Sequence, residues 1–253
     1  MVFVWDFGRI SLIIMKIEKL NFKTWESDPV IQEMFEGKDV NERLSSLASE
    51  IFTKEREIGS GNFSYVFEDP ETGACCKKIK PGEKPLNNVH QESGFLSDLR
   101  GLSEEVDVPM PLISLDAYTR SVDGRVSKCN LLIMEKINGP SLEDVLNGRA
   151  ELPKSFNLDK YFSSLEKFFK ETMHAKGIYH RDIADRNLMI DEESGKPFVI
   201  DFGNSIYYSY DGISDGDKDP YGQVINDTDN PPQDLDVERL RGVKESMKMY
   251  LTK

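Results

Sequence analysis

From residue 53 to about 137, apolar positions recur in short alternating runs broken by turn formers, the pattern of half-buried strands. REIGSGNFSYVFED and GACCKKIK flank Asp69-Pro70-Glu71-Thr72-Gly73, which predicts a hairpin with a glycine-rich first bend. HQESGFLSDLRG reads as a helix. PLISLDAY and NLLIMEKI then read as two strands around Val122-Asp123-Gly124-Arg125, which completes a small sheet carrying one helix.

From Pro140 the period turns helical. SLEDVLNGR starts at a capping Ser141, and LDKYFSSLEKFFKETMHAKG places Leu158, Phe162, Leu165, Phe169 and Met173 on one stripe, with Gly177 as its stop. NLMI and PFVI are expected to pair as short strands around DEESGK, both pointing at acidic residues. After Gly203 a stretch rich in Asp, Gly and Pro shows no period until a closing helix, DLDVERLRGVKESMKMYL. Asp215, Asp217 and Asp219 mimic a calcium loop. Pro220 and Asn226 stand where that loop needs Gly and Glu, so a solvated loop is expected.

The first 52 residues read as an acidic, mainly helical extension, with Asn41 capping a run through Leu44, Leu47 and Ile51. Its start, MVFVWDFGRISLIIM, carries Asp6 and Arg9 and falls short of the ~20 apolar residues a membrane span takes, so a packed strand, or a start mis-set upstream of Met15, is expected there. It has neither a basic leader nor a small-residue cleavage site. The expected division is 1–52 as extension, 53–137 as a sheet-rich lobe and 138–253 as a mainly helical lobe.

A net charge of −13 disfavours nucleic acid and anionic lipid as partners, because phosphates are repelled unless a local cation or metal meets them. Cys75, Cys76 and Cys129 form neither a disulfide framework nor a C-x-x-C site, which points to a reducing, cytoplasmic compartment. Apolar (38%) and charged (30%) content together are those of an ordinary globular chain.

The chemistry concentrates in His180-Arg181-Asp182-Ile183-Ala184-Asp185-Arg186-Asn187 and, at the end of an apolar strand, Asp201-Phe202-Gly203. These stretches resemble the H-R-D-x-x-x-x-N catalytic loop and D-F-G turn of protein kinases, in order and with a hairpin between them. The resemblance implies a two-lobed α+β kinase-like fold that uses ATP and Mg²⁺. Asp182 is implied to face the acceptor hydroxyl, and Asn187 and Asp201 to hold the metal.

Ile58-Gly59-Ser60-Gly61-Asn62-Phe63-Ser64-Tyr65-Val66 is similar to the kinase loop over the ATP phosphates, although Ser64 replaces its third glycine. By that likeness Gly59, Ser60 and Gly61 let the backbone approach the phosphates, Phe63 caps them, and Ile58 and Val66 pack on adenine. Ala74-Cys75-Cys76-Lys77-Lys78-Ile79 stands where kinases carry V-A-x-K; alternation puts Cys75, Lys77 and Ile79 on one face and favours Lys77 over Lys78 as the ATP lysine. Glu92 is its expected acidic partner, with Glu83 less well placed. Backbone groups around Glu135 and Ile137, before Asn138-Gly139-Pro140, resemble the hinge that meets adenine.

Some features depart from the common pattern. Ala184 stands where serine/threonine kinases commonly carry Lys, and Arg186, four after Asp182, is implied to neutralise the transferred phosphate. No A-P-E occurs, and 50 residues follow Gly203, so a truncated C-terminal lobe and an activating partner protein are expected. In FED, the paired lysines, QES and that shortness the chain resembles the bacterial OspG and NleH effector kinases, which makes export an alternative to a cytoplasmic site. The function implied is γ-phosphoryl transfer to a protein Ser or Thr, autophosphorylation included. One alternative is a small-molecule kinase of the aminoglycoside-phosphotransferase type, whose loops usually lack the Arg181 equivalent. The other is a nucleotide-binding pseudokinase acting as an interaction module, against which every catalytic position is filled.

Overall fold

The computed structural model describes residues 3–4, 11–14, 54–69, 73–80, 88–120, 126–207 and 232–252. It divides into two compact units, one of Met1–Ser93 with Met110–Lys136 and one of Gly94–Pro109 with Ile137–Lys253.

The first unit is built on an antiparallel sheet. Its strands are β1 (Phe3–Val4), β2 (Ser11–Ile14), β3 (Glu57–Ser60), β4 (Ser64–Glu68), β5 (Cys75–Ile79), β6 (Pro111–Arg120) and β7 (Val126–Met134), in the order β1-β2-β6-β7-β5-β4-β3. β4 and β5 form the expected hairpin, closed by N–H groups of Asp69 and Gly73 donating to the carbonyls of Ala74 and Asp69. Phe67, Ala74, Cys75, Cys76, Leu131, Leu132 and Ile133 make its core. Burial pushes the Cys75 thiol up to about 12, so it stays protonated and inert.

Helix α1 (Val89–Leu99) begins in this unit, and its residues from Gly94 onward belong to the second. The second unit holds α2 (Leu142–Leu146), α3 (Leu158–Phe168), the strand pairs β8 (Ile178–Tyr179) with β11 (Ile206–Tyr207) and β9 (Leu188–Ile190) with β10 (Pro197–Val199), and α4 (Pro232–Leu251). Ser141 caps α2 by accepting the Asp144 N–H, and Asn157 caps α3 through Lys160. α3 then widens into a π turn over Phe169–Met173, so that Phe168 and Phe169 are both buried while Leu158 is only half-buried, a one-residue drift from the regular stripe. Gly177 ends the run at φ 70. A Cβ on Gly139 would lie 1.9 Å from the Ile190 carbonyl oxygen, so this close approach requires glycine.

The structure redraws the expected boundaries. Ser11–Ile14, in the stretch expected to pack as a strand, pairs with β6 and so belongs to the first unit's sheet, because a strand edge offers unpaired backbone groups to an extended, β-branched segment. Gly94–Pro109 joins the helical unit, where the Asp107 carbonyl accepts the Val199 N–H and the Asp107 N–H donates to the Pro197 carbonyl. The run from Asn41 to Ile51, the turn 122–125, Glu83, and the Asp215–Asn226 stretch lie outside the described residues.

Candidate active site

In the first unit the register across three strands sets Gly59 against Val66 and Val66 against Lys77. Gly59 and Gly61 avoid positive φ, and a Cβ would find only Val66 at 3.7 Å beside Gly59 and nothing within 4 Å of Gly61. The fold itself therefore does not demand glycine at either place; open space beside this bend is what glycine preserves. Ile58 and Phe63 stay 49% and 38% exposed next to it, apolar side chains turned to solvent where a ring could pack. Ser60 ends β3, and Ser64, in place of a third glycine, is buried at the start of β4. Sequence reading missed Lys80, whose N–H donates to the Phe63 carbonyl at 2.8 Å while its Nζ donates to the Gly61 carbonyl at 2.5 Å, stapling the bend.

The Lys77 Nζ donates to both Glu92 oxygens, at 2.8 and 2.7 Å, with both side chains buried. Alternation on β5 selects Lys77, and the first turn of α1 supplies Glu92. A buried ammonium held by a carboxylate is fixed in direction as well as charge, as a phosphate-binding cation must be. Lys78 opposes Tyr65 and Leu131 in register and forms no ion pair with Glu92. At the unit's last residues, Glu135 spends its N–H on the Met110 carbonyl (2.9 Å) and its carboxylate on the Met110 N–H (3.0 Å). Ile137 is buried and begins the other unit.

In the second unit Asp182 and Asn187 meet directly. The Asn187 Nδ2 donates to the Asp182 carbonyl at 2.8 Å and approaches its Oδ2 at 3.4 Å, which turns the amide oxygen the other way. The Ile200 N–H donates to the Asn187 carbonyl at 3.0 Å, so Asp201 follows a residue bonded to Asn187. Asp201 sits at φ 63, a left-handed conformation uncommon outside glycine, with its Oδ1 accepting the Gly203 N–H at 3.3 Å. Arg186 Nη2 donates to both Asp182 oxygens at 2.9 Å, steadying that carboxylate. Four-residue spacing across the short 3₁₀ turn Asp185–Asn187 brings it back.

His180 is fully buried and, through burial, held below the usual imidazole range, hence neutral. Its Nε2–H donates to the Ile200 carbonyl at 3.0 Å and its Nδ1 accepts the Asp182 N–H at 3.3 Å, one tautomer serving both motifs. Phe202 meets the His180 ring edge-on at 4.8 Å, Phe95 stacks on Phe202 at 6.4 Å, and Tyr207 on Phe95 at 4.6 Å.

Sequence reading also missed Asp236. Fully buried on α4, it accepts the N–H groups of His180 and Arg181, both at 2.8 Å, and lies 3.3 Å from His174 Nε2. In DLDVER it looks like any acidic residue of a helix's first turn. Only the distant fold distinguishes it.

Among the described residues no group of three or more His, Cys, Asp and Glu could hold a metal. The expected set is one carboxylate, Asp201, and one amide oxygen, Asn187, which is too few for a protein cage. It suits Mg²⁺, which keeps waters and shares its shell with substrate phosphates. In the second unit these two oxygen donors therefore fit an ion that keeps part of its shell for water and phosphate. No helix among the described residues is long and apolar enough to cross a membrane.

Residues 52–215 match the family model for the protein kinase domain, more than half of the chain. The chain is 27% identical over 175 residues to the CBL-interacting serine/threonine-protein kinase 16 of Arabidopsis thaliana, a match covering 68% of this chain and 35% of that relative. With an α+β architecture, a buried Lys–Glu pair and the Asp182–Asn187–Asp201 arrangement in support, this match shows that the chain belongs to the protein kinase family.

Proposed function

We propose that this chain transfers the γ-phosphoryl group of Mg-ATP to a Ser or Thr hydroxyl of a protein, its own chain included. The observation that carries the reading is the bonding of Asp182 to Asn187, with Asp201 one residue beyond the Ile200 N–H that Asn187 accepts. Lys77, steered by Glu92, binds the α- and β-phosphates, and the bend Gly59–Ser60–Gly61 offers backbone N–H groups with Phe63 over them. Ile58 and Val66 pack on adenine, and backbone groups at Glu135 and Ile137 meet its edge. Asn187 and Asp201 hold the ion, which when bound neutralises charge developing on the phosphate oxygens.

Asp182, held in direction and place by Arg186, orients the acceptor hydroxyl and takes its proton as the oxygen attacks phosphorus and the bond to the β-phosphate oxygen breaks. The Ser/Thr preference draws its support from the name of the plant relative; Arg186, in the position many tyrosine kinases use, is the feature that argues for Tyr.

Incubation of the purified chain with Mg-ATP, read by intact mass and phosphosite mapping with casein and an aminoglycoside present, tests the reading. Phosphate on Ser or Thr is the result expected. Phosphate on the aminoglycoside alone overturns it in favour of a small-molecule kinase, and nucleotide binding without transfer overturns it in favour of a binding module.

A further inference from the structure

One turn beyond Asp236 on α4, Arg239 projects from the same face, since residues three apart are helix-surface neighbours. Asp236 Oδ1 accepts the Arg181 N–H at 2.8 Å, and Arg239 Nη1 donates to the Arg181 carbonyl. Two side chains of one helix thus grip the two backbone polar groups of a single residue. That residue has φ 64, a conformation a non-glycine side chain holds only when its surroundings impose it. The gripped carbonyl belongs to the peptide unit leading into Asp182, so its orientation sets where the Asp182 side chain starts. Nη1 also lies 3.9 Å from Asp182 Oδ1, and Arg239 lines, with Asp182, Ala184, Asp185 and Ser246, a recess of about 410 Å³.

We propose that Arg239 is a positioning residue for Asp182, acting through the Arg181–Asp182 peptide unit; the inference rests on Asp182 facing the acceptor hydroxyl. The ion pair alone carries little of this, because at 3.9 Å and with the arginine 40% exposed it is screened by water. The hydrogen bond to the carbonyl carries it. Ala184 leaves no cation of the catalytic loop two residues after Asp182, and Arg186 is already bonded to the carboxylate from the loop side, so Arg239 is the cation α4 supplies.

The test compares Arg239→Ala, Asp182→Asn and the double variant in steady-state phosphorylation of casein, with amide hydrogen exchange followed in the full chain. Arg239→Ala should lower kcat on the order of 10- to 100-fold, as misplacement of a reacting group does, with KM for ATP unchanged. In the Asp182→Asn background the same change should add nothing further, and Asp182 amide exchange should quicken while α4 amides keep their protection. Wild-type kcat in Arg239→Ala, the same fold loss with Asp182→Asn as without it, or loss of protection throughout α4 overturns the positioning role. An Asp182→Asn variant with full kcat sinks the catalytic reading instead, and the exchange at Asp182 then judges Arg239 by itself.

Discussion

Asp236, 55 residues beyond Arg181, accepts that residue's backbone N–H through Oδ1 at 2.8 Å from full burial. A distant helix therefore holds the catalytic loop in its left-handed turn, and the second oxygen does the same for His180 at 2.8 Å. Replacing Asp236 by Ala leaves one buried and one part-buried backbone donor without their acceptor and should cost about 2–5 kcal/mol in urea unfolding, with phosphoryl transfer falling as well. Asp236→Asn, which keeps one acceptor oxygen, should lose less. Equal stability of Asp236→Ala and wild type would show that the loop holds itself.

The Lys77–Glu92 pair makes a sharp contrast between neighbouring lysines. Lys77→Met should reduce kcat/KM for ATP by about 100-fold or more, the scale for removing a preorganised charge from a phosphate. Lys78→Met should change it little, and Glu92→Gln should fall between them. Competition with a fluorescent nucleotide measures the binding share of each loss.

His180 gives a pH dependence with a definite sign. Burial lowers its pKa in the folded chain below the ordinary 6.5, so the unfolded chain binds the proton more readily. Its contribution to stability is intact above pH ~6.5 and is lost as pH falls from there through the lower folded value. Denaturant midpoints taken between pH 8 and pH 5 should decline below about 6.5 in wild type, and the decline should flatten in His180→Gln, which keeps a donor and does not titrate. A parallel decline in both would assign it to other groups.

The H-R-D-x-x-x-x-N and D-F-G stretches are legible because their residues are contiguous, and the β4–β5 and β9–β10 hairpins because alternation and turn formers sit side by side. Alternation on β5 picked Lys77 over Lys78, and the helix after it supplied Glu92. What escaped reading depends on contacts distant in sequence. Asp236 and Arg239 are ordinary helix charges until α4 meets Arg181, and Gly94–Pro109 joins the helical unit through Asp107 and its partners on β10. For Arg186 the four-residue spacing from Asp182 is legible, but a cation there can face either phosphate or carboxylate, and its bond to the carboxylate comes from the geometry.

In the proposed transfer Asp201 and Asn187 hold the ion and Asp182 assists. Mg-ATP-dependent phosphate incorporation by Asp201→Ala, read by intact mass against wild type at equal folded fraction, tests it most directly. A loss of at least about 100-fold is the predicted result, the scale for removing a charge-stabilising group. Phosphorylation at the wild-type rate by Asp201→Ala would contradict the account.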